Sequence, residues 1–119
     1  MVIGNVDTEV SMIEKVISAM IDRDYKTLAS YFSEECKYFD YCPYLVGDTG
    51  FFIYGSSCLE MFFMTKLPSD VFKVAEPIIE SENSANFFGS YNGPYLYARM
   101  SIEEYDESGL IKKAVVHPA

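Results

Sequence analysis

A single histidine, His117, and no tryptophan stand in the 119 residues, and the three cysteines, Cys36, Cys42 and Cys58, have no C-x-x-C spacing. One histidine without a cysteine pair offers no ligand set for zinc or non-haem iron, so no metal and no cofactor is expected. Any pairing of three thiols leaves one over, which suits reduced cysteines in the cytoplasm better than a disulfide framework. Bases are scarce: nine Lys and Arg against eighteen Asp and Glu give a formal charge of −9. Such a chain repels phosphate backbones and anionic headgroups unless a basic patch intervenes. The one adjacent basic pair, Lys112-Lys113, sits beside the acidic 103–107 turn and reads as a solvated edge. Neither nucleic acid nor a membrane surface is an expected partner. No stretch approaches the roughly 18 apolar residues of a membrane span, and "MVIGNVDTEV" lacks the basic and apolar regions of a secretory leader. A soluble, cytoplasmic protein is expected.

What is abundant is apolar and aromatic. Half of the residues are hydrophobic, with ten Tyr and nine Phe, far from the composition of a disordered chain. The length suits one domain, residues 1–119, large enough for a real core or a ligand cavity. The aromatic surplus has two readings, cavity lining for a hydrophobic ligand or core and interface packing, and buried tyrosine hydroxyls need partners in either.

Val10, Ile13, Val16, Ile17 and Met20 recur at helical spacing, which predicts a first helix over 7–23 with Asp7 as N-cap and Glu9 in its first turn. Asp24 reads as the N-cap of a short second helix through about Phe32. Cys36–Tyr41 follows as a strand, 43–50 as a loop, and "FFIYG" as a short strand or turn. In "GSSCLEMFFMTKLP", Ser57 and Glu60 fit a capping box, Leu59, Phe62, Phe63 and Leu67 form a stripe, and Pro68 stops the third helix. Beyond it, 71–80, 85–91, 95–105 and 110–117 are rich in β-branched and aromatic residues, parted by the turn signals "ENS", "NG" and "DESG". Strands so closely connected pair as an antiparallel meander. The fold class is α+β, with helices gathered on one side of a curved antiparallel sheet.

Three segments, "RDYKTLASYFSEECKYFD", "YGSSCLEMFF" and "IEEYDESGLIKKAVVH", and above all their order, resemble the nuclear transport factor 2-like superfamily, which includes ketosteroid isomerase and the SnoaL-like polyketide cyclases. The resemblance covers nearly the whole chain. It implies a cone-shaped α+β barrel with a small-molecule pocket, and a homodimer through the outer sheet face. It also implies a general base: the isomerase's catalytic aspartate stands on the first strand, eight residues after the aromatic ending the second helix, and Phe32 to Asp40 repeats that spacing. The isomerase's two oxyanion donors fall here on Val16 and Ser101 and are missing. Abstracting a proton beside a carbonyl needs the enolate stabilised as well as a base, so steroid isomerisation is not expected. An isomerase, cyclase or dehydratase acting on a small, mostly apolar carbonyl compound is one reading. A non-catalytic ligand-binding or association module of the same fold is the other.

Asp40, inside the aromatic run "KYFDYCP", is the candidate catalytic residue. Walled by Tyr38 and other rings, its carboxyl would be shifted toward a useful range for proton transfer. Alternatively it caps the following turn or pairs with Arg99. On "YLYARMSIEEY", hydrophobicity alone would bury Leu96, Ala98, Met100 and Ile102, whereas the family spacing turns Arg99 and Ser101 toward the pocket. With that second phase Tyr38, Tyr97, Arg99 and Ser101 would be the substrate-binding residues, and the apolar set would lie on the outer sheet face. His117, opposite in phase to Ala114 and Val116, is expected on the outer face. Cys58 reads as a buried structural thiol, "GSS" as an ordinary helix start, and "GDTG" as a turn without a phosphate-binding lysine.

Overall fold

The computed structural model describes residues 10–68, 72–91 and 93–119. Its first helix, α1, runs Met12–Ile21, later than the periodicity suggested. Ser11 caps it: the hydroxyl accepts the Glu14 N–H while the Glu14 carboxylate accepts the Ser11 N–H, a reciprocal box in the position assigned above to Asp7. Val10 thus precedes the helix and is exposed, and Asp7 and Glu9 lie outside the described residues. Asp24 caps α2, Tyr25–Ser30, as expected, accepting from the Thr27 N–H and hydroxyl. That helix ends before Phe32, which instead opens β1, Phe32–Asp40. A 3-10 turn, Cys42–Val46, follows within the expected loop, then β2, Phe51–Tyr54, and α3, Ser56–Lys66. The box expected at Ser57 and Glu60 does not form. Gly55, at φ 89°, is the N-cap, and its N–H is drawn to the Cys36 carbonyl at 2.8 Å instead. The strands β3, Phe72–Ile79, β4, Ser84–Tyr91, β5, Tyr95–Tyr105, and β6, Ile111–Pro118, complete the chain.

The six strands form one open, mixed sheet in the order β2-β1-β6-β5-β4-β3. The meander from β3 to β6 is antiparallel as expected, and β1 pairs antiparallel with β2. Between β1 and β6 the pairing is parallel, so the sheet is not wholly antiparallel. β2 occupies one flank of β1 and leaves the other for the last strand, which arrives running the same way.

Curving around the helices, the sheet buries Cys36, Tyr38, Ala85, Phe87, Ala98, Met100, Ile102, Ala114 and Val116 against Ile13, Val16, Leu28, Leu59 and Phe63. Hydrophobicity therefore sets the phase of β5, and Tyr97, Arg99 and Ser101 belong to the other face. Removing Met100 and Ile102 from water is worth roughly 1.5–3 kcal/mol each. Outward-facing Arg99 keeps contact with water and meets Glu80 at 3.0 Å. Phe39, Phe52, Tyr54, Phe88 and Tyr97 share that outer face by register, so it is aromatic without the apolar set of β5.

Candidate functional site

Alternation along β1 sends Cys36, Tyr38 and Asp40 inward, and Asp40, the last residue of the strand, is completely buried. Its backbone lies between Phe51 of β2 and Val116 of β6. The chain then turns, and Asp40 Oδ1 accepts the Cys42 N–H at 2.9 Å. Asp40 does cap the following turn. Arg99 is not its partner, since the Arg99 guanidinium bonds Asn86 and Glu80 on the outer face.

The second oxygen has a partner that the sequence reading did not name. Tyr91, ending β4 in phase with Ala85 and Phe87, donates its hydroxyl to Asp40 Oδ2 at 2.7 Å. An inward tyrosine needs a polar partner, and Asp40 is the only buried carboxylate among the described residues; nothing in the spacing of the two residues pairs them in advance. Cys42, also buried, completes the cluster.

Electrostatics follow from this closure. Burial pushes the Asp40 carboxyl from its ordinary 3.8 up to about 6, held back by the bonds from Tyr91 and Cys42. Burial, then the Asp40 charge, push the Cys42 thiol up to about 12 and the Tyr91 phenol further up; Tyr38 is raised by the same causes. The phenols and the thiol are thus held as proton donors, and Asp40 is the group that changes charge near neutrality. Among the described residues the ion pairs form elsewhere, at Arg99–Glu80 and Lys113–Glu103.

Of the expected site residues, Tyr38 lies with Asp40 and packs edge-on against Phe32 and Phe63. Tyr97 stacks on Phe88 on the opposite face, Arg99 is engaged there with Asn86 and Glu80, and Ser101 pairs in register with Val115. These three are not brought together with Asp40. Val16 is core, and His117 lies across from Arg99 on the outer face. Cys58, expected to be buried, is exposed, because it starts the solvent side of α3. Among the described residues, clefts of about 330, 210 and 100 Å³ lie along the helices, and Asp40 does not line these. Among the described residues no three His, Cys, Asp or Glu side chains gather as a metal site, and no helix is long and apolar enough to cross a membrane.

In sequence the chain matches no family model and no curated protein. In structure it is similar to a candidate polyketide cyclase from Xanthomonas campestris pv. campestris, with TM-score 0.66 and 11% identity over 90% of this chain and 87% of that one. RV0760c from Mycobacterium tuberculosis, in complex with estradiol-17beta-hemisuccinate, overlaps at TM-score 0.61 and 12% identity, over 87% of this chain and 88% of that one. A candidate ketosteroid isomerase from Kribbella flavida overlaps at TM-score 0.58 and 17% identity, over 90% and 74%. The chain has the cone-shaped α+β fold of the nuclear transport factor 2-like superfamily, here with an open sheet.

Proposed function

We propose that the protein binds a small, mostly apolar carbonyl compound and moves a proton on it, as an isomerase, cyclase or dehydratase, with Asp40 as the general base. The observation that carries this reading is a fully buried carboxylate, bonded only by neutral donors and pushed up to about 6. A base of that strength is half-charged just below neutral pH, where proton abstraction balances availability against driving force. An apolar wall of Tyr38, Phe62 and Phe63 suits an uncharged ring or chain better than an anion, which an ionised Asp40 would repel. The steroid ester bound by RV0760c is in keeping with such a ligand on this fold. In this proposal Tyr38 is the wall of the site, while Tyr97, Arg99 and Ser101 serve the outer face, through which two copies pair in the cytoplasm.

The test is α-hydrogen exchange of 2-tetralone in heavy water, followed by proton NMR. Acceleration by the protein and its loss in Asp40→Asn are expected. Equal rates with and without protein would refute catalysis and leave the second reading, a binding module, which the complete closure over Asp40 favours.

A further inference from the structure

A cleft of about 100 Å³ lies where α1 ends, between that helix, Leu67 beyond the last turn of α3 and the start of β3. Its apolar lining is Met20, Ile21, Leu67 and Val74, and of these Met20 and Leu67 are buried. Its charged lining is Arg23 and Lys73, and among the described residues no carboxylate lines it. In a chain of formal charge −9 this is a local reversal of sign. We propose that the cleft is a binding site for a short-chain aliphatic carboxylate, with Arg23 and Lys73 on the carboxylate and the alkyl tail on Met20, Leu67 and Val74.

The backbone brings Arg23 to this place at a cost. The Arg23 N–H reaches the Met20 carbonyl at 3.1 Å and the Asp24 N–H reaches the Ala19 carbonyl at 2.9 Å, closing α1 around a left-handed residue. Glycine or asparagine ordinarily takes that position, whereas Arg23 stands at φ 59°, where a β-carbon crowds the following carbonyl. Glycine would close the helix without the crowding, and only arginine adds a planar fork of donors. The acids beside it in sequence are used elsewhere. Asp24 accepts from Thr27 with both oxygens, and Asp22 and Asp24 line the cleft between α1 and α2. The ion pairs among the described residues do not include Arg23.

A guanidinium takes a carboxylate through two parallel bonds, and an ammonium adds a point charge. Phosphate fits the same fork, but its remaining oxygens would lie without partners against methionine and leucine carbons. The volume is well below the roughly 300 Å³ at which sites for drug-sized ligands begin, so it admits a chain of a few carbons and excludes a steroid-sized ring system. This ligand is therefore not the one proposed for Asp40, and the site does not depend on that base.

The experiment titrates butyrate into the full nitrogen-15-labelled chain at neutral pH and low salt, following amide NMR shifts, with phosphate and butylammonium in parallel. Saturable shifts at Arg23, Lys73 and Val74 are expected with butyrate, weaker binding with phosphate and none with butylammonium. Arg23→Gln should weaken butyrate roughly tenfold or more, the effect of losing charge-assisted bonds, and Asp40→Asn should leave it unchanged. Arg23→Gly removes the crowding, so it should keep or raise Tm while losing butyrate to the same degree. An arginine that only closes the helix would not separate stability from binding in this way, and the glycine variant decides the matter if Arg23→Gln is unfolded. Shifts that never saturate, or that survive both Arg23 substitutions, would overturn the site. Phosphate binding tighter than butyrate would overturn the carboxylate assignment.

Discussion

The Tyr91 hydroxyl donates to Asp40 Oδ2 at 2.7 Å, tying the end of β4 to the end of β1 across 51 residues of sequence. Removing it in Tyr91→Phe takes one hydrogen bond from a buried carboxylate. Hydrogen bonds to charged groups contribute about 1.5–3 kcal/mol, so a stability loss of that size is expected at pH 8. At pH 4.5, where Asp40 is protonated, the loss should shrink by half or more. Urea unfolding at both values reads the difference, and equal losses would contradict the charge-assisted bond.

Asp40 also makes stability depend on pH in an unusual direction for an aspartate. Its carboxyl ionises at about 6 in the folded chain and near 3.8 when unfolded. Between these values the folded state holds the extra proton, so stability is full below about pH 4 and falls as pH rises to 6, then levels. The drop from this one group is on the order of 3 kcal/mol. Asp40→Asn should flatten that window in a pH series of unfolding curves, and an unchanged slope would remove Asp40 as its source.

Gly50 stands where the chain returns from the turn to β2. A β-carbon there would lie 2.7 Å from the Asp40 carbonyl oxygen and 2.9 Å from the Tyr44 ring. The backbone atom cannot swing aside, so Gly50→Ala should cost about 1–3 kcal/mol and lower Tm by several degrees. A wild-type melting curve would show that this approach is looser than described.

Arg99 separates the two faces of the sheet experimentally. Arg99→Ala leaves Glu80 and the buried Asn86 short of a partner, with an expected loss of about 1–3 kcal/mol. Tetralone exchange by the folded variant should stay within twofold of wild type. A hundredfold loss would return Arg99 to the substrate site.

On the outer face Phe52 and Phe88 are each about two-fifths exposed. If two copies pair there, Phe52→Lys with Phe88→Lys should convert a sedimenting dimer to a monomer while keeping the far-ultraviolet spectrum. Wild-type protein that sediments as a monomer at micromolar concentration contradicts the pairing.

Local chemistry was legible where it stayed local. Asp24 caps the second helix because its carboxylate and Thr27 are neighbours, and the meander follows from short turns between β-rich segments. Ser11 was missed because Asp7 and Glu9 offered an earlier helix start, although Ser11 with Glu14 carried the stronger reciprocal box. The parallel pairing of β1 with β6 left no trace in either segment, since it joins strands far apart in sequence. For β5 the family spacing pointed one way and hydrophobic alternation the other, and the free energy of burying Met100 and Ile102 decided. Asp40 stood out by its place in an aromatic strand. Its partner did not, because what links residue 40 to residue 91 is curvature of the sheet rather than spacing.

The most direct measurement is a carbon-13 NMR titration of the Asp40 carboxyl, assigned by its loss in Asp40→Asn and repeated in Tyr91→Phe. A midpoint near 6 in wild type, moving upward without the Tyr91 hydroxyl, is the expected result. A midpoint near 4 that ignores the substitution would contradict a buried base held by Tyr91.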